Sequence, residues 1–147
     1  MNAAIDRTNA HDLDAVLALL GEVNLPIEGV AEHFGDFFIA RNGEQLVGCV
    51  GQERYGRVAL LRSLAVSPEL QRSGLGKELT ACLLDEARGN GVREMVLLTT
   101  TAADFFARHF GFAEVGRRQF GEIFAASPEW HLPRCSSAVC MYLRLSE

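Results

Sequence analysis

The sequence predicts a single α/β domain, with helices on both faces of a mixed, mostly antiparallel sheet that contains one central parallel strand–helix–strand splay. Three observations predict it. Two strand-like runs, 37–41 and 45–53, flank the hairpin dipeptide Asn42-Gly43. Two further runs, 57–66 and 95–99, are apolar at nearly every position, as suits strands covered on both faces. Between them Leu75, Leu79, Cys82, Leu83 and Ala87 recur at helical spacing, which makes the second pair a crossover unit.

In order along the chain, Ile5 begins a short strand. Asn9, with Asp12 three residues on, supplies a helix start, and Leu13, Val16, Leu17 and Leu20 form the apolar stripe that follows. Asn24-Leu25-Pro26 ends that segment, and a second, shorter helix is expected over 27–34. The hairpin 37–53 follows, and Tyr55-Gly56 turns the chain into the run 57–66. The crossover helix is stopped by Gly89-Asn90-Gly91. Beyond the strand 95–99 come a short helix over 102–110, a strand opening at Gly111-Phe112, an irregular or weakly helical stretch over 121–133, and a closing strand over 139–145. No repeat, low-complexity tract or linker interrupts this order, so residues 1–147 are expected to form one domain.

Composition narrows the class. The 147 residues are 48% hydrophobic and 22% charged, enough for a real core in one domain. A net charge of −5 argues against a nucleic-acid protein held by a basic face, although a local pair such as Arg72 and Lys77 can still serve a phosphate. No apolar run reaches the ~18 residues that span a bilayer, since Arg62 interrupts the best one, and 1–14 has no signal-peptide core. Cys49, Cys82, Cys135 and Cys140 lack CxxC spacing and read as reduced thiols of a cytoplasmic protein. His11, His33, His109 and His131 show no ligand spacing, so no metal is expected.

The chemistry concentrates in Gln71-Arg72-Ser73-Gly74-Leu75-Gly76-Lys77, between a buried strand and an amphipathic helix. Glycines there let backbone N–H groups approach an anion, and the helix start adds unpaired donors and the positive dipole end. A P-loop is excluded, because Gln71 stands where its first glycine belongs and Glu78 follows Lys77. A dinucleotide fingerprint is excluded by Leu79, which occupies its third glycine position.

What remains, Gln71-x-x-Gly74-x-Gly76 after Leu64-Ala65-Val66 and Ser67-Pro68, with Gly111-Phe112 ending the later short helix, resembles the Gcn5-related N-acetyltransferases. The strings 59–66 and 97–102, the element Phe105-Phe106-Ala107-Arg108 and the tail 135–139 are similar to small acetyltransferases associated with arsenic-resistance operons. Leu98-Thr99-Thr100 also resembles the acetyltransferase domain of N-acetylglutamate synthases.

The resemblance implies an acyltransferase that moves an acetyl group from acetyl-CoA to an amine by direct attack. Gln71, Arg72, Ser73, Gly74, Leu75, Gly76 and Lys77 would hold the pyrophosphate. Leu64, Ala65 and Val66 would pair with the pantetheine arm, with a backbone N–H near Leu64 facing the oxyanion, and Thr99 and Phe106 would complete the cofactor side. A homodimer is a family expectation.

For the acceptor side, Glu53 is the expected base, at the end of a strand running beside 57–66, with Asp104 as the alternative. Arg62 is a charge inside an apolar strand, which requires a partner or a cleft. It is expected to clamp an acidic group of the substrate as a bidentate fork, an internal salt bridge to Glu53 or Glu32 being the alternative. Ser63 and Thr100 are assigned to the same side. The tyrosine that many family members use to protonate the departing thiolate is replaced by the Phe106–Arg108 neighbourhood. The acceptor is therefore expected to be a small acid-bearing amine, an amino acid or an amino-acid-like toxic compound. A non-catalytic acyl-CoA sensor is the rival.

Overall fold

A computed structural model describes residues 3–146, so both ends of the expected 1–147 domain lie outside the described residues. The strands are β1 (Ala4–Arg7), β2 (Phe37–Asn42), β3 (Gln45–Tyr55), β4 (Val58–Val66), β5 (Glu94–Thr99), β6 (Ala113–Glu114) and β7 (Val139–Arg144). The helices are α1 (Leu13–Glu22), α2 (Leu75–Gly89) and α3 (Ala103–Phe110). The strands form one sheet in the order β1-β2-β3-β4-β5-β7-β6, in which β4 and β5 are the parallel pair and the other neighbours are antiparallel.

The start of α1 follows the sequence closely. Asn9 accepts from the His11 N–H and Asp12 accepts from the Asn9 N–H, closing a capping box over the 3-10 turn that leads into the helix. Asp12 also pairs with Arg41 of β2, which ties that turn to the sheet. The β2–β3 hairpin lies where Asn42-Gly43 puts it, with Gly43 taking the left-handed conformation at φ 64.

The helix expected over 27–34 does not form. Turns occupy 28–33, followed by a 3-10 helix at Phe34–Asp36. Gly29 sits at φ 84, which breaks a helical repeat, whereas Val30 and Phe34 are both buried. Their four-residue spacing mimics a helix face while each anchors a turn.

Side chains alternate across the sheet. On one face α2 and α3 cover Phe38, Ala59, Leu61, Met95 and Leu97. The opposite face carries two clusters. One joins α1 to Phe37, Ile39 and Cys49; the other joins Leu60 and Val96 to Phe124 and Trp130 of the tail. That tail, 115–138, is built of 3-10 turns at Arg117–Phe120, Glu129–His131 and Pro133–Cys135. Glu53, opposite Leu60 in the β3–β4 register, and Arg62 lie on the same face as these two clusters.

Two departures from a regular sheet create the cleft. The parallel pairing of β4 with β5 covers only Val58–Leu61 against Glu94–Leu97, and beyond it the strands diverge. The β3–β4 register shifts between Cys49 and Gly51, opposite Ser63, which is held at φ 62. A non-glycine residue in that conformation at a bulge bends the strand and re-aims its side chains.

Candidate active site

The anion cradle is assembled where the sequence places it. A 3-10 turn at Pro68–Leu70 carries the chain off β4, and Gln71 Nε2 donates to the Val66 carbonyl at 3.2 Å, fastening the loop to the strand end. Arg72 and Gly74 are left-handed, at φ 71 and 92, and α2 starts directly after them. No protein acceptor within the described residues takes the N–H groups of Arg72, Gly74, Gly76 and Lys77. The Leu75 N–H leans to Ser73 Oγ at 3.4 Å, and its side chain enters the core as an anchor. Arg72 and Lys77 are exposed. Open space surrounds Gly74, so the donors face solvent rather than packed protein. Convergent unpaired N–H groups, a helix N-terminus and two cations fit a diphosphate.

From this cradle Val66, Ala65 and Leu64 lead back to a cleft of about 260 Å³ at the divergence of β4 and β5. Arg62, Ser63 and Leu64 line it from β4, Thr99 and Thr100 from the end of β5, and Phe106 from α3. Thr99 Oγ1 accepts from the Ala102 N–H at 2.9 Å, capping the approach to α3. Phe106 is buried against Phe105 and Phe112 and forms a wall. Ala65 turns its side chain into the α1 cluster, so only its backbone runs along this path.

The structure joins Glu53, the expected base, and Arg62, the expected substrate clamp, in one buried pair, which is the internal salt bridge given as the alternative. Their side chains have no exposed surface, and Arg62 Nη1 donates to Glu53 Oε2 at 2.6 Å. Tyr55 Oη donates to Glu53 Oε1 at 2.6 Å, and His33 Nε2 stands 3.8 Å from the same oxygen. Both oxygens of Glu53 are therefore engaged, and the residue does not line the cleft. Arg62 uses further donors on Ser63 Oγ (3.0 Å) and the Pro26 carbonyl (3.3 Å), so it presents no free fork. The internal salt bridge is the one to Glu53; Glu32 is exposed. The pair bridges the joint between the two apolar clusters, where an isolated charge would be strongly disfavoured. Asp104 is exposed and paired with Arg108 at 3.1 Å, one turn along α3.

A carboxylate that the sequence reading missed does reach the cleft. Glu129 is 6% exposed and lines it, with Oε1 3.9 Å from Arg62 Nε and Oε2 buried without a hydrogen-bond partner. Burial, with the Glu53 carboxylate adding to it, pushes its carboxyl up to about 7 against the pull of Arg62 and Arg117. Its mount is rigid. Ser127 Oγ accepts from the Trp130 N–H at 3.2 Å, and Trp130 packs on Phe124. Arg117 stacks over Trp130 at 4.6 Å and donates to the carbonyls of Trp130 and Cys135. The available signal was an acid flanked by apolar and aromatic residues in Ser127-Pro128-Glu129-Trp130.

Burial shapes the thiols that can be described. No disulfide forms among the described residues, and burial pushes the Cys49 thiol up to about 12 and that of Cys140 to about 11. No group of three or more His, Cys, Asp or Glu suited to a metal ion occurs among the described residues. Nor does any described helix have the length and apolarity to cross a membrane.

Comparison with known proteins agrees with this frame. The amino-acid acetyltransferase of Neisseria meningitidis serogroup B is 30% identical over 97 residues, covering 65% of this chain and 22% of that protein. An uncharacterised N-acetyltransferase of Chlorobaculum tepidum is 32% identical over 95 residues, 64% of this chain and 60% of the relative. The chain thus spans about a fifth of the Neisseria protein and less than two thirds of the other. Among solved structures, N-acetylglutamate synthase from Neisseria gonorrhoeae, complexed with coenzyme A and L-arginine, superposes with a TM-score of 0.81 at 24% identity. That match covers 99% of this chain and 34% of the synthase, and establishes the fold. The profile of the Acetyltransferase (GNAT) family matches residues 9–112, from the capping box before α1 to just past the end of α3, and the chain belongs to that family.

Proposed function

We propose that this protein transfers an acetyl group from acetyl-CoA to the amine of a small acid-bearing molecule, an amino acid or close analogue, by direct attack. The observation that carries the reading is the continuous path from the N–H cradle at 71–77, along Leu64 to Val66, to the cleft at the β4–β5 divergence. Acetyl-CoA supplies an activated thioester. The chain supplies diphosphate donors on Arg72, Gly74, Gly76 and Lys77, a strand edge at Leu64 to Val66, and the Phe106 wall.

The acceptor end supports a small substrate. The cleft holds about 260 Å³, and its polar lining includes Asn24, the hydroxyls of Ser63, Thr99, Thr100 and Thr101, Arg62, and Glu129. An ammonium is drawn by the excess of carboxylates over Arg62, and a substrate acid has those hydroxyls as donors. The relatedness to an amino-acid acetyltransferase supports the same class.

No phenol lines the cleft near Phe106, so the departing thiolate has no such acid within reach. A thiol with an ordinary pKa near ~8.5 leaves tolerably as its anion, and a general acid typically adds only ~10²–10⁴-fold. Thiol release from acetyl-CoA, measured over the protein L-amino acids, their aminophosphonate analogues and small amines without an acid, tests the reading. Turnover confined to acid-bearing amines is expected. CoA binding without release across the whole panel would establish the sensor instead.

A further inference from the structure

We propose that Glu129, carried on the tail rather than on the sheet, is the group that takes the proton from the acceptor ammonium. This inference rests on the acetyl transfer proposed above. It depends on four observations: Glu129 lines the cleft, is 6% exposed, leaves Oε2 buried without a hydrogen-bond partner, and meets its nearest cation, Arg62, only through Oε1 at 3.9 Å.

Among the described residues, buried side-chain oxygens or nitrogens without a hydrogen bond are confined to Gln52 and Glu129 Oε2. Gln52 neighbours Glu53 in β3, so it points to the opposite face and does not line the cleft. A buried carboxyl oxygen is left unpaired only at a penalty, unless something that binds there supplies the donor. An ammonium nitrogen is such a donor.

The surrounding charges set its proton affinity. Glu53 on β3 and Arg62 on β4 face it as a closed pair, with Tyr55 and His33 on the far side of Glu53. Arg117 approaches from the tail but is fixed on the carbonyls of Trp130 and Cys135, and the Cys135 thiol lines the same wall. Arg62 makes its short contact to Glu53 at 2.6 Å and only a longer one to Glu129 at 3.9 Å, so a cationic acceptor adds the close partner that Glu129 lacks. A carboxyl poised at about 7 is ionised often enough to accept a proton and basic enough to take one.

The step balances as follows. The Glu129 carboxylate, on a residue that lines the cleft, takes one proton from the ammonium, exposing the nitrogen lone pair. The lone pair attacks the thioester carbon, the C–N bond forms, and the C–S bond breaks with its electron pair leaving on the CoA sulfur. The second nitrogen proton passes to that thiolate or to water, and Glu129 returns its own proton to solvent. Glu53 cannot take this part, because Arg62 and Tyr55 occupy both its oxygens and it has no surface on the cleft.

The test compares wild type with Glu129→Gln and Glu129→Asp, using the amine of highest kcat/KM in the panel above. In wild type, kcat/KM is expected to rise with pH through an apparent pKa of about 7. Glu129→Gln should lower kcat by ~10²–10⁴-fold, abolish that limb, and leave the KM for acetyl-CoA within about twofold. Glu129→Asp keeps a carboxylate one methylene shorter and should recover part of kcat together with a shifted limb. Calorimetric CoA binding and thermal melting establish that each variant is folded. A Glu129→Gln enzyme with kcat within about threefold of wild type, or with the limb intact, overturns the assignment. Wild type that turns over no amine overturns the acetyl-transfer reading itself, which is a different failure.

Discussion

Glu129 should weaken the fold at the pH where it is useful, and this is measurable without any substrate. In the unfolded chain its carboxyl ionises near the ordinary value of 4.5, and in the native protein near 7. Between those values the native state holds a proton that the unfolded state has released, so the unfolded state binds fewer protons and stability falls as pH rises. Each tenfold change in proton affinity is worth ~1.4 kcal/mol, so the full penalty, reached above the folded value, is up to about 3 kcal/mol. Below the unfolded value it vanishes, because both states are protonated. Glu129→Gln imitates the protonated form at every pH. Urea melts of the apo proteins from pH 4.5 to 8.5 should therefore show the variant matching wild type at the acid end. It should gain steadily to about 3 kcal/mol above neutrality, well outside the error of the extrapolation. Taking the difference between the two proteins at each pH cancels the other titrating groups. A pH-independent difference, or a variant less stable than wild type at pH ~8, would refute the claim that burial without a partner governs this carboxyl.

Removing one partner of the buried pair should act in the opposite direction. Arg62→Met leaves Glu53 buried with only Tyr55 as a close donor and is expected to cost about 3–5 kcal/mol, read as a fall in Tm of roughly 2–4 °C per kcal/mol; a loss under about 1 kcal/mol would mean that the pair is dispensable. Gly51→Ala should cost about 1–3 kcal/mol in chemical denaturation, since a Cβ there would stand 2.1 to 2.3 Å from the Phe37 ring. The Arg72→Ala, Lys77→Ala double variant should raise the KM for acetyl-CoA by about tenfold or more with kcat little changed, the effect shrinking in high salt; an unaltered KM would remove the two side chains from the anion site.

The parts legible in the sequence are those set by local pattern. The crossover 57–99 could be read because a buried parallel strand is apolar throughout, and the glycine turn because a left-handed residue before a helix narrows the choice of side chain. The cap at Asn9 and Asp12 and the hairpin at Gly43 are likewise contained within a few residues. The segment 27–34 misled for the converse reason. Val30 and Phe34 are spaced as on a helix, yet the constraint on each is the core cluster built by α1 and β2. Partners distant in sequence leave no such trace. Arg62 was visible as an anomalous charge, but whether it faces a ligand or Glu53 depends on which β4 residue falls on the Glu53 side of the bent sheet.

That same geometry explains why the sequence pointed to Glu53 rather than to the tail. Strand ends beside a cleft are the natural place to look, and Glu53 stands at one. However, a carboxylate on the sheet here faces Arg62 and Tyr55, and its partners have already claimed its lone pairs. Glu129 comes from an irregular stretch whose burial depends on Phe124 and Trp130 packing against Leu60 and Val96. Its wall of the cleft is separate from the frame formed by the cradle and β4. The matched family region ends at residue 112, before this tail begins. The division has a physical consequence: the glycine turn presents backbone donors that few sequence changes can disturb, whereas the cleft wall formed by Glu129, Cys135 and Ala138 can change without touching that turn. If the proposed reaction holds, substitutions at Glu129, Cys135 and Ala138 should change the acceptor profile while leaving the KM for acetyl-CoA in place, and substitutions in 71–77 should do the reverse.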